Sequence, residues 1–546
     1  MSSRDPFFTH QVENQPRPLR DYNAWVVDAP LREAVEREGG GWASDHLNRY
    51  GAVSGGELVE LGYSANRHRP EFHPYDAYGN RIDSVEFHPA YHRIMKRAMG
   101  HGMHSYAWNH EIKHGAHVAR AAVIYLGSQA DAGTACPMSM TYASVPALRH
   151  GGDWAEEWIN KLTANEYDPR AIPMDEKTAC TIGMGMTEKQ GGSDVRANTT
   201  RAEAQADGSY RLVGHKWFFS APMCDAHLVL AQAEAGLSCF LVPRILDSGE
   251  RNAVVIQRLK DKLGDWSNAS AEVEFHNALA LLVGEEGRGV PTILEMVALT
   301  RLDCMTCSSA LMRQALLQAT HHACQREVFG RLLIDQPLMR NVLADMALEV
   351  EAAVALSMRV ARAIDAAARD PQEAAFARIA TAIGKYWICK RSPPLVNEAL
   401  ECLGGIGYVE DTMLPRLYRQ APLNSIWEGA GNVQCLDVLR ALRREPEAGE
   451  ALFAELARAS GLNADLDQAV DQLRRDFEYP ETLEVRSRQV VERAATALQA
   501  ALLLAGDPAI AKTFCRHRLG GEGGSCFGTL SPDTPFGLLI SRVGLG

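Results

Sequence analysis

Long apolar runs are missing from this 546-residue chain. Its strongest apolar stretches, such as AALLLAG around residue 503, fall well short of the roughly 20 residues that a membrane-spanning helix needs. No membrane partner is expected. The opening MSSRDPFFTHQVENQPRPLRDY has no apolar core behind a basic start, so it does not read as a signal peptide, and a cytoplasmic setting is expected. Disulfide spacing is also lacking. The twelve cysteines are scattered, and most, including Cys239, Cys389, Cys402 and Cys435, sit among apolar residues, as buried reduced thiols do. Cys304 and Cys307 form a CxxC, but within a long helical pattern and with no βαβ context for a redox motif. No GxGxxG follows a strand, and neither GxxxxGK[ST] nor GxSxG occurs, which removes Rossmann, P-loop and nucleophile-elbow readings. Basic excess is absent too. Net charge is −12, which argues against a chain built wholly around nucleic acid, although a local basic patch remains open.

What is present is enough apolar residue, 46%, for several cores in a chain too long for one. Residues 1–180 read as mainly helical after a Pro-rich opening. Pro89–Met99 and Glu111–Leu126 have helical spacing, and FHPYDAYGN reads as an extended or looped arm. Over 181–290 the pattern changes to short β-rich runs (YRLVGHKWFFSAP, AHLVLAQA, LSCFLVP, SAEVEFHNALALLVG). Their linkers are too short for crossover helices, which predicts a compact antiparallel β domain. Over 291–443 the helical period returns. One long helix beginning near 289, two more over about 336–369 and 372–403, and a shorter one after Glu428 make a four-helix bundle. Residues 444–546 add a helical extension with a Gly-rich tail. The fold class is α+β in four parts.

Among the motifs, His110-Glu111-Ile112-Lys113-His114 matches HExxH, with His117 placed on the same face if the segment is helical. No persuasive third ligand stands out, so a hydrogen-bonded or solvated helical histidine cluster is expected and no metal. A sharper signal is the run Met184 to Val195 (MGMTEKQGGSDV), whose paired glycines and Thr and Ser hydroxyls suit a phosphate or a heterocycle. It is followed by Gly214-His215-Lys216-Trp217-Phe218-Phe219-Ser220-Ala221, by Gln325-Arg326-Glu327-Val328-Phe329-Gly330, by Leu403-Gly404-Gly405-Ile406-Gly407-Tyr408, and by Trp427-Glu428-Gly429-Ala430-Gly431-Asn432-Val433-Gln434.

These five motifs, in this order, resemble those of the acyl-CoA dehydrogenase family over roughly residues 90–443. The wording and the added C-terminal stretch are most similar to the branch tied to the bacterial adaptive response to alkylation. The resemblance implies FAD and a homotetramer, with the cofactor between the β domain and the helical bundle. It puts Met184, Met186, Thr187 and Gly192 at the flavin ring, Ser193 at the pyrophosphate and Phe218 packed on the isoalloxazine. Ser220 would donate to flavin N5 in place of the family's Thr. Arg326 would reach the pyrophosphate or ribose across a subunit interface, and Phe329 and Gly405 belong to the same cofactor-binding set. Ile426, Gly429, Gly431 and Asn432 would close over the cofactor. Glu428 falls at the catalytic base, which would take the proton α to a thioester carbonyl. Two departures weaken ordinary CoA chemistry: Ala298 replaces an acid three residues before Arg301, with Asp303 lying beyond, and Ala430 replaces a Thr. Weak activity on short or branched acyl-CoA is therefore expected.

The same branch implies that the extension binds double-stranded DNA. Residues 445–546 hold ten Lys or Arg against fifteen Asp or Glu, which disfavours a generally basic domain. The basic residues are grouped, however, with Arg440, Arg443 and Arg444 closing one helix and Lys512, Arg516 and Arg518 forming a run. Such groups neutralise phosphates in a salt-dependent, sequence-independent way. The alternatives are a catabolic acyl-CoA dehydrogenase with no DNA role, and a non-catalytic flavin-binding interaction protein.

Overall fold

The structure, a computed structural model, describes residues 9–544. Its N-terminal part comprises α1 (Ala29–Arg37), α2 (Ser44–Gly55), α3 (Glu57–Arg67), a hairpin of β1 (Glu71–Tyr75) and β2 (Arg81–Glu86), then α4 (Pro89–Gly100), α5 (Tyr106–Asn109), α6 (Ala116–Ala130), α7 (Ala135–Leu148) and α8 (Trp154–Leu162). The hairpin occupies the segment that the sequence reads as an arm. Asp76 Oδ1 accepts from the amides of Tyr78 and Asn80, and Gly79 sits at φ +83°, so a local side-chain turn pairs two short strands.

The β domain follows: β3 (Ile182–Gly185), β4 (Arg201–Ala204), β5 (Tyr210–Ser220), β6 (Ala226–Ala233), β7 (Gly236–Pro243), β8 (Val254–Leu259) and β9 (Ser270–Val283). The four longest of these, β5, β6, β7 and β9, are the four predicted runs. Strands β6, β7, β9, β5 and β4 pair in a ring that returns to β6, while β3 adds to β6 and β8 to β9. Most pairings are antiparallel, but β3 and β4 run parallel to β6. The β5–β9 register sets Ser220 opposite Ser270.

The bundle is α9 (Gly289–Ala323), a hairpin of β10 (Glu327–Val328) and β11 (Arg331–Leu332), α10 (Pro337–Ala366), α11 (Pro371–Cys402), α12 (Leu414–Gln420) and α13 (Gly431–Arg444). The extension adds α14 (Pro446–Ala457), α15 (Ala464–Phe477), α16 (Pro480–Leu503), α17 (Pro508–Phe514) and α18 (Phe536–Ser541). Helices α10, α11, α14, α16 and α17 all begin at proline, whose fixed φ and missing N–H suit a first helical position. Asp370 and Asp507 cap α11 and α17 by accepting from the first-turn amides.

Helix α9 is buried along nearly all its length against α6, α7, α10 and α11, so it carries little amphipathic signal. The Gly-rich tail is not loose. Asp345 accepts from the amides of Gly528 and Thr529, Arg542 pairs with Glu33 and Glu351, and Arg313 donates to the Val543 carbonyl at 2.8 Å. Among the described residues no helix is long and apolar enough to cross a membrane.

Candidate active site

Between α12 and α13 the chain makes a tight turn at Glu428, which adopts φ +57° and is followed by Gly429 at φ +92°. A left-handed glutamate is unfavourable by itself and persists where the surroundings hold it. Three side chains do so. Lys385 of α11 donates to the carbonyls of Trp427 (2.8 Å) and Gly429 (2.6 Å). Arg301 of α9 donates from Nε to the Glu428 carbonyl at 3.1 Å, and Gln434 of α13 donates to the Glu428 and Gly429 carbonyls at 3.0 and 2.9 Å. Arg301 is held in turn by Asp437 at 2.6 Å, which Arg378 also meets at 3.0 Å. Burial raises the Asp437 carboxyl, but the two guanidinium groups outweigh it and hold it low. A side chain at Gly429 would meet Gln434 Nε2 at 2.6 Å, so glycine is required there both for φ and for space.

The carboxylate is thereby aimed while its backbone is fixed. Its Oε2 accepts from the Thr300 hydroxyl at 2.7 Å. Desolvation by burial raises its pKa above the ordinary carboxylate value, opposed by the Thr300 hydrogen bond and the charges of Arg301 and Lys385. A half-buried carboxylate with a raised pKa and one light hydroxyl restraint is suited to accept a proton.

Trp427, next to this acid, packs in the same apolar cluster as Met184 and Met186, which joins the turn to the end of β3. The loop after β3 is built on Glu188. Its carboxylate, fully buried with Lys216 at 2.9 Å, accepts from the amides of Thr199 and Thr200. Burial lowers Lys216 to about 8, against the pull of Glu188. This pair is structural and leaves the loop's outer donors free. Among the described residues neither the Thr187 nor the Ser193 hydroxyl has a protein partner, and Gly192 packs where a Cβ would meet Thr187 Oγ1 at 2.5 Å. Phe218 lies on the outward side of β5, 51% exposed, and Ser220 Oγ lies 3.2 Å from Ser270 Oγ. An exposed aromatic ring beside unpartnered hydroxyls and a close-approach glycine fits a flat heterocycle carrying a phosphate.

Other predicted residues stand elsewhere. Ile426, Gly429, Gly431 and Asn432 accompany Glu428, with Asn432 Oδ1 accepting from Arg488 of α16 at 2.8 Å. Arg326 and Phe329 lie past the far end of α9, about 35 Å along the helix from Thr300 at 1.5 Å per residue. One protomer therefore does not bring them to Glu428. The RxxFG segment is not a helix end but the β10–β11 hairpin, turned at left-handed Phe329 and Gly330, and Arg326 donates to the Asn14 carbonyl at 2.5 Å. Gly405, in a short 3-10 turn beyond α11, is likewise roughly 28 Å along that helix from Lys385.

Ala298 is exposed one turn before Arg301, and Asp303 offers no substitute because it faces inward to a buried ion pair with Arg120. Cys304 and Cys307 are buried, unbridged thiols whose pKa values burial pushes up. The HExxH segment is a correction: it is a turn rather than a helix, ended by Gly115 at φ +79°, and α6 starts only at Ala116. No group of three potential metal ligands occurs among the described residues.

Of the basic clusters, Arg440, Arg443, Arg444 and Lys512 are exposed. Arg516 is held by Glu522 and Asp533, and Arg518 by Asp345 and Glu349, so their charges are neutralised within the chain. Sequence reasoning missed Thr300, Lys385 and Asp437. The available signal for Lys385 was a lone lysine within the apolar run IATAIGKYWI.

Known proteins resemble this chain along most of its length. Residues 14–169 match the adaptive response protein AidB N-terminal domain, residues 183–278 the acyl-CoA dehydrogenase middle domain and residues 287–443 the acyl-CoA dehydrogenase C-terminal domain. AidB of Escherichia coli (strain K12) is 49% identical over 94% of this chain and 95% of its own length. Acyl-CoA dehydrogenase family member 11 of Caenorhabditis elegans is 31% identical over 89% of this chain and 78% of its own. The structure of Caenorhabditis elegans ACDH-11 in complex with C11-CoA superposes with a TM-score of 0.85 at 26% identity, covering 94% of each chain. The chain belongs to the acyl-CoA dehydrogenase family, as an AidB-like member.

Proposed function

We propose that this protein is an FAD-dependent acyl-CoA dehydrogenase-type oxidoreductase in which Glu428 removes the proton α to a thioester carbonyl. The observation that carries the reading is the Glu428 turn, whose backbone carbonyls are held by donors on three helices while its carboxylate, with a raised pKa, accepts only from Thr300. FAD, when bound, supplies the hydride acceptor. Thr187, Gly192 and Ser193 would bind its polar atoms, Phe218 would face its ring, and the Ser220 hydroxyl would donate to it. Arg326, Phe329 and Gly405 are too far along their helices to share that site within one protomer, so they would serve a neighbouring subunit's cofactor. The 96% exposed Phe329, 84% exposed Leu338 and 81% exposed Tyr408 support a homotetramer that covers them.

The substrate class is acyl-CoA, as in the ACDH-11 complex with C11-CoA. Modest activity follows from the lack of a carboxylate at Ala298, and short or branched acyl groups are the proposed substrates. Anaerobic mixing of holoprotein with isovaleryl-CoA tests the assignment: flavin bleaching is expected in the wild type and not in E428Q. Bleaching that survives in E428Q removes Glu428 from the role.

A second property is favoured by a separate observation. Arg440, Arg443 and Arg444 end α13 exposed and, among the described residues, without ion-pair partners, as does Lys512 in α17. These cations would bind duplex DNA through phosphates, in keeping with an AidB-type role in the alkylation response. Duplex affinity measured against salt tests this, and a flat salt dependence refutes it.

A further inference from the structure

The ammonium of Lys385 is 1% exposed and has no carboxylate within ion-pair distance among the described residues. Buried cations usually meet an anion, because a lone charge loses its hydration without compensation. Here the compensation is two carbonyl oxygens, those of Trp427 and Gly429, which flank Glu428 on either side. A single tetrahedral donor that bridges these two carbonyls fixes the 427–428 and 429–430 peptide planes, while the 428–429 plane between them is held through the Glu428 carbonyl by Arg301 and Gln434. Residue 428 is the left-handed glutamate.

Neighbouring elements leave this task to Lys385. On α9, Arg301 reaches only the Glu428 carbonyl among those of the turn, its Nη1 donor meeting Asp437, and Thr300 holds the carboxylate itself. On α13, Gln434 adds neutral amide donors, and the charge of Asp437 is already matched by Arg301 and Arg378. The remaining charged groups around the Glu428 carboxylate are thus Arg301 and Lys385, both cationic.

We infer that Lys385 is a positioning residue for the proton-abstraction step: its ammonium clamps the 427–429 turn so that Glu428 points its carboxylate at the substrate, and its charge favours the ionised base. The inference rests on the proposed role of Glu428. It separates the work of two cations, with Arg301 tethering α13 through Asp437 and Lys385 shaping the turn.

The test uses the full-length holoprotein with K385Q, K385R and E428Q. The Glu428 carboxyl is titrated by isotope-edited infrared spectroscopy, its band assigned by its loss in E428Q, and hydrogen exchange is followed at residues 427–432. K385Q should move the carboxyl titration to higher pH, because a favourable positive charge is gone, and should speed exchange in the turn. Its reduction by isovaleryl-CoA at pH 7 should slow roughly 10- to 100-fold, the scale of a small misplacement of a reacting group. K385R keeps the charge, so its titration should stay with the wild type, while its planar guanidinium cannot bridge the same two carbonyls and turn exchange should still rise. An unmoved titration in K385Q overturns the charge role. Unchanged turn exchange in K385R overturns the clamp, and this arm stands even if K385Q does not fold. If isovaleryl-CoA fails to reduce the wild-type flavin, the proposed function fails on its own account, whereas titration and exchange report on Lys385 alone.

Discussion

At the Glu428 turn, Lys385 and Arg301 direct donors at backbone carbonyls, whereas in the extension Arg486, Arg493, Arg516 and Arg518 meet carboxylates. The first arrangement shapes the chain and leaves one acid unmatched and titratable. The second neutralises both partners and fastens helices together, as when Arg518 binds Asp345 and Glu349 of α10. The same residue types therefore build a reactive group in one region and a scaffold in the other. The difference lies in what the donors meet: at the turn Lys385 reaches only carbonyls and Arg301 divides its donors between a carbonyl and Asp437, leaving the Glu428 carboxylate unpaired.

The contrast can be broken at several points. The largest expected effect is in E428Q, where loss of a general base should slow flavin reduction by about 10²–10⁴-fold with FAD retained, read by anaerobic stopped flow. Next, Arg518→Met should uncouple the extension from the bundle. Buried Asp345 would lose its cation and Glu349 one of two, Arg391 remaining, at a cost of about 2–4 kcal/mol, less than for a fully buried pair because Arg518 is partly exposed. Denaturant unfolding measures it, and unchanged stability would show that the network contributes little.

Among the exposed cations, R443A and R444A should each lower the slope of log affinity for duplex DNA against log salt by about 1. R516A should leave that slope unchanged because Arg516 is already paired. A change with R516A and none with the other two would reverse the assignment. In T300V the hydroxyl that lowers the Glu428 pKa is lost, so the rising limb of the pH–rate profile should move to higher pH. The smallest effect concerns stability. Glu428 has a raised folded-state pKa, so its contribution is complete below the unfolded carboxyl pKa and is lost as pH rises through the folded one. E428Q should therefore melt above the wild type at neutral pH, and the gap should close in acid.

Much of the fold was legible because long β-rich and helical runs alternate over wide spans. The runs that became β5, β6, β7 and β9 carry their own periodicity, and proline marks the starts of α10, α11, α14, α16 and α17. Short strands were not legible. β3, β4 and β8 have four to six residues, too few for a periodic pattern to show, and β3 pairs with a distant strand, Ile182 lying opposite Ala226. The histidine-rich 110–114 segment looked helical in its spacing, but Gly115 takes a positive φ and Asp365, 250 residues away, accepts its amide.

By itself the sequence determined the family motifs, their order and the place of Glu428 as the candidate base, since these are properties of residue type and spacing along one chain. Tertiary structure alone decided that Lys385 would meet the Glu428 turn, that Asp303 would turn inward to Arg120, and that Arg518 would be silenced while Arg443 stayed exposed. In each case the partner lies on another element, and the strength of an electrostatic interaction depends on separation and burial, which spacing along the chain does not encode.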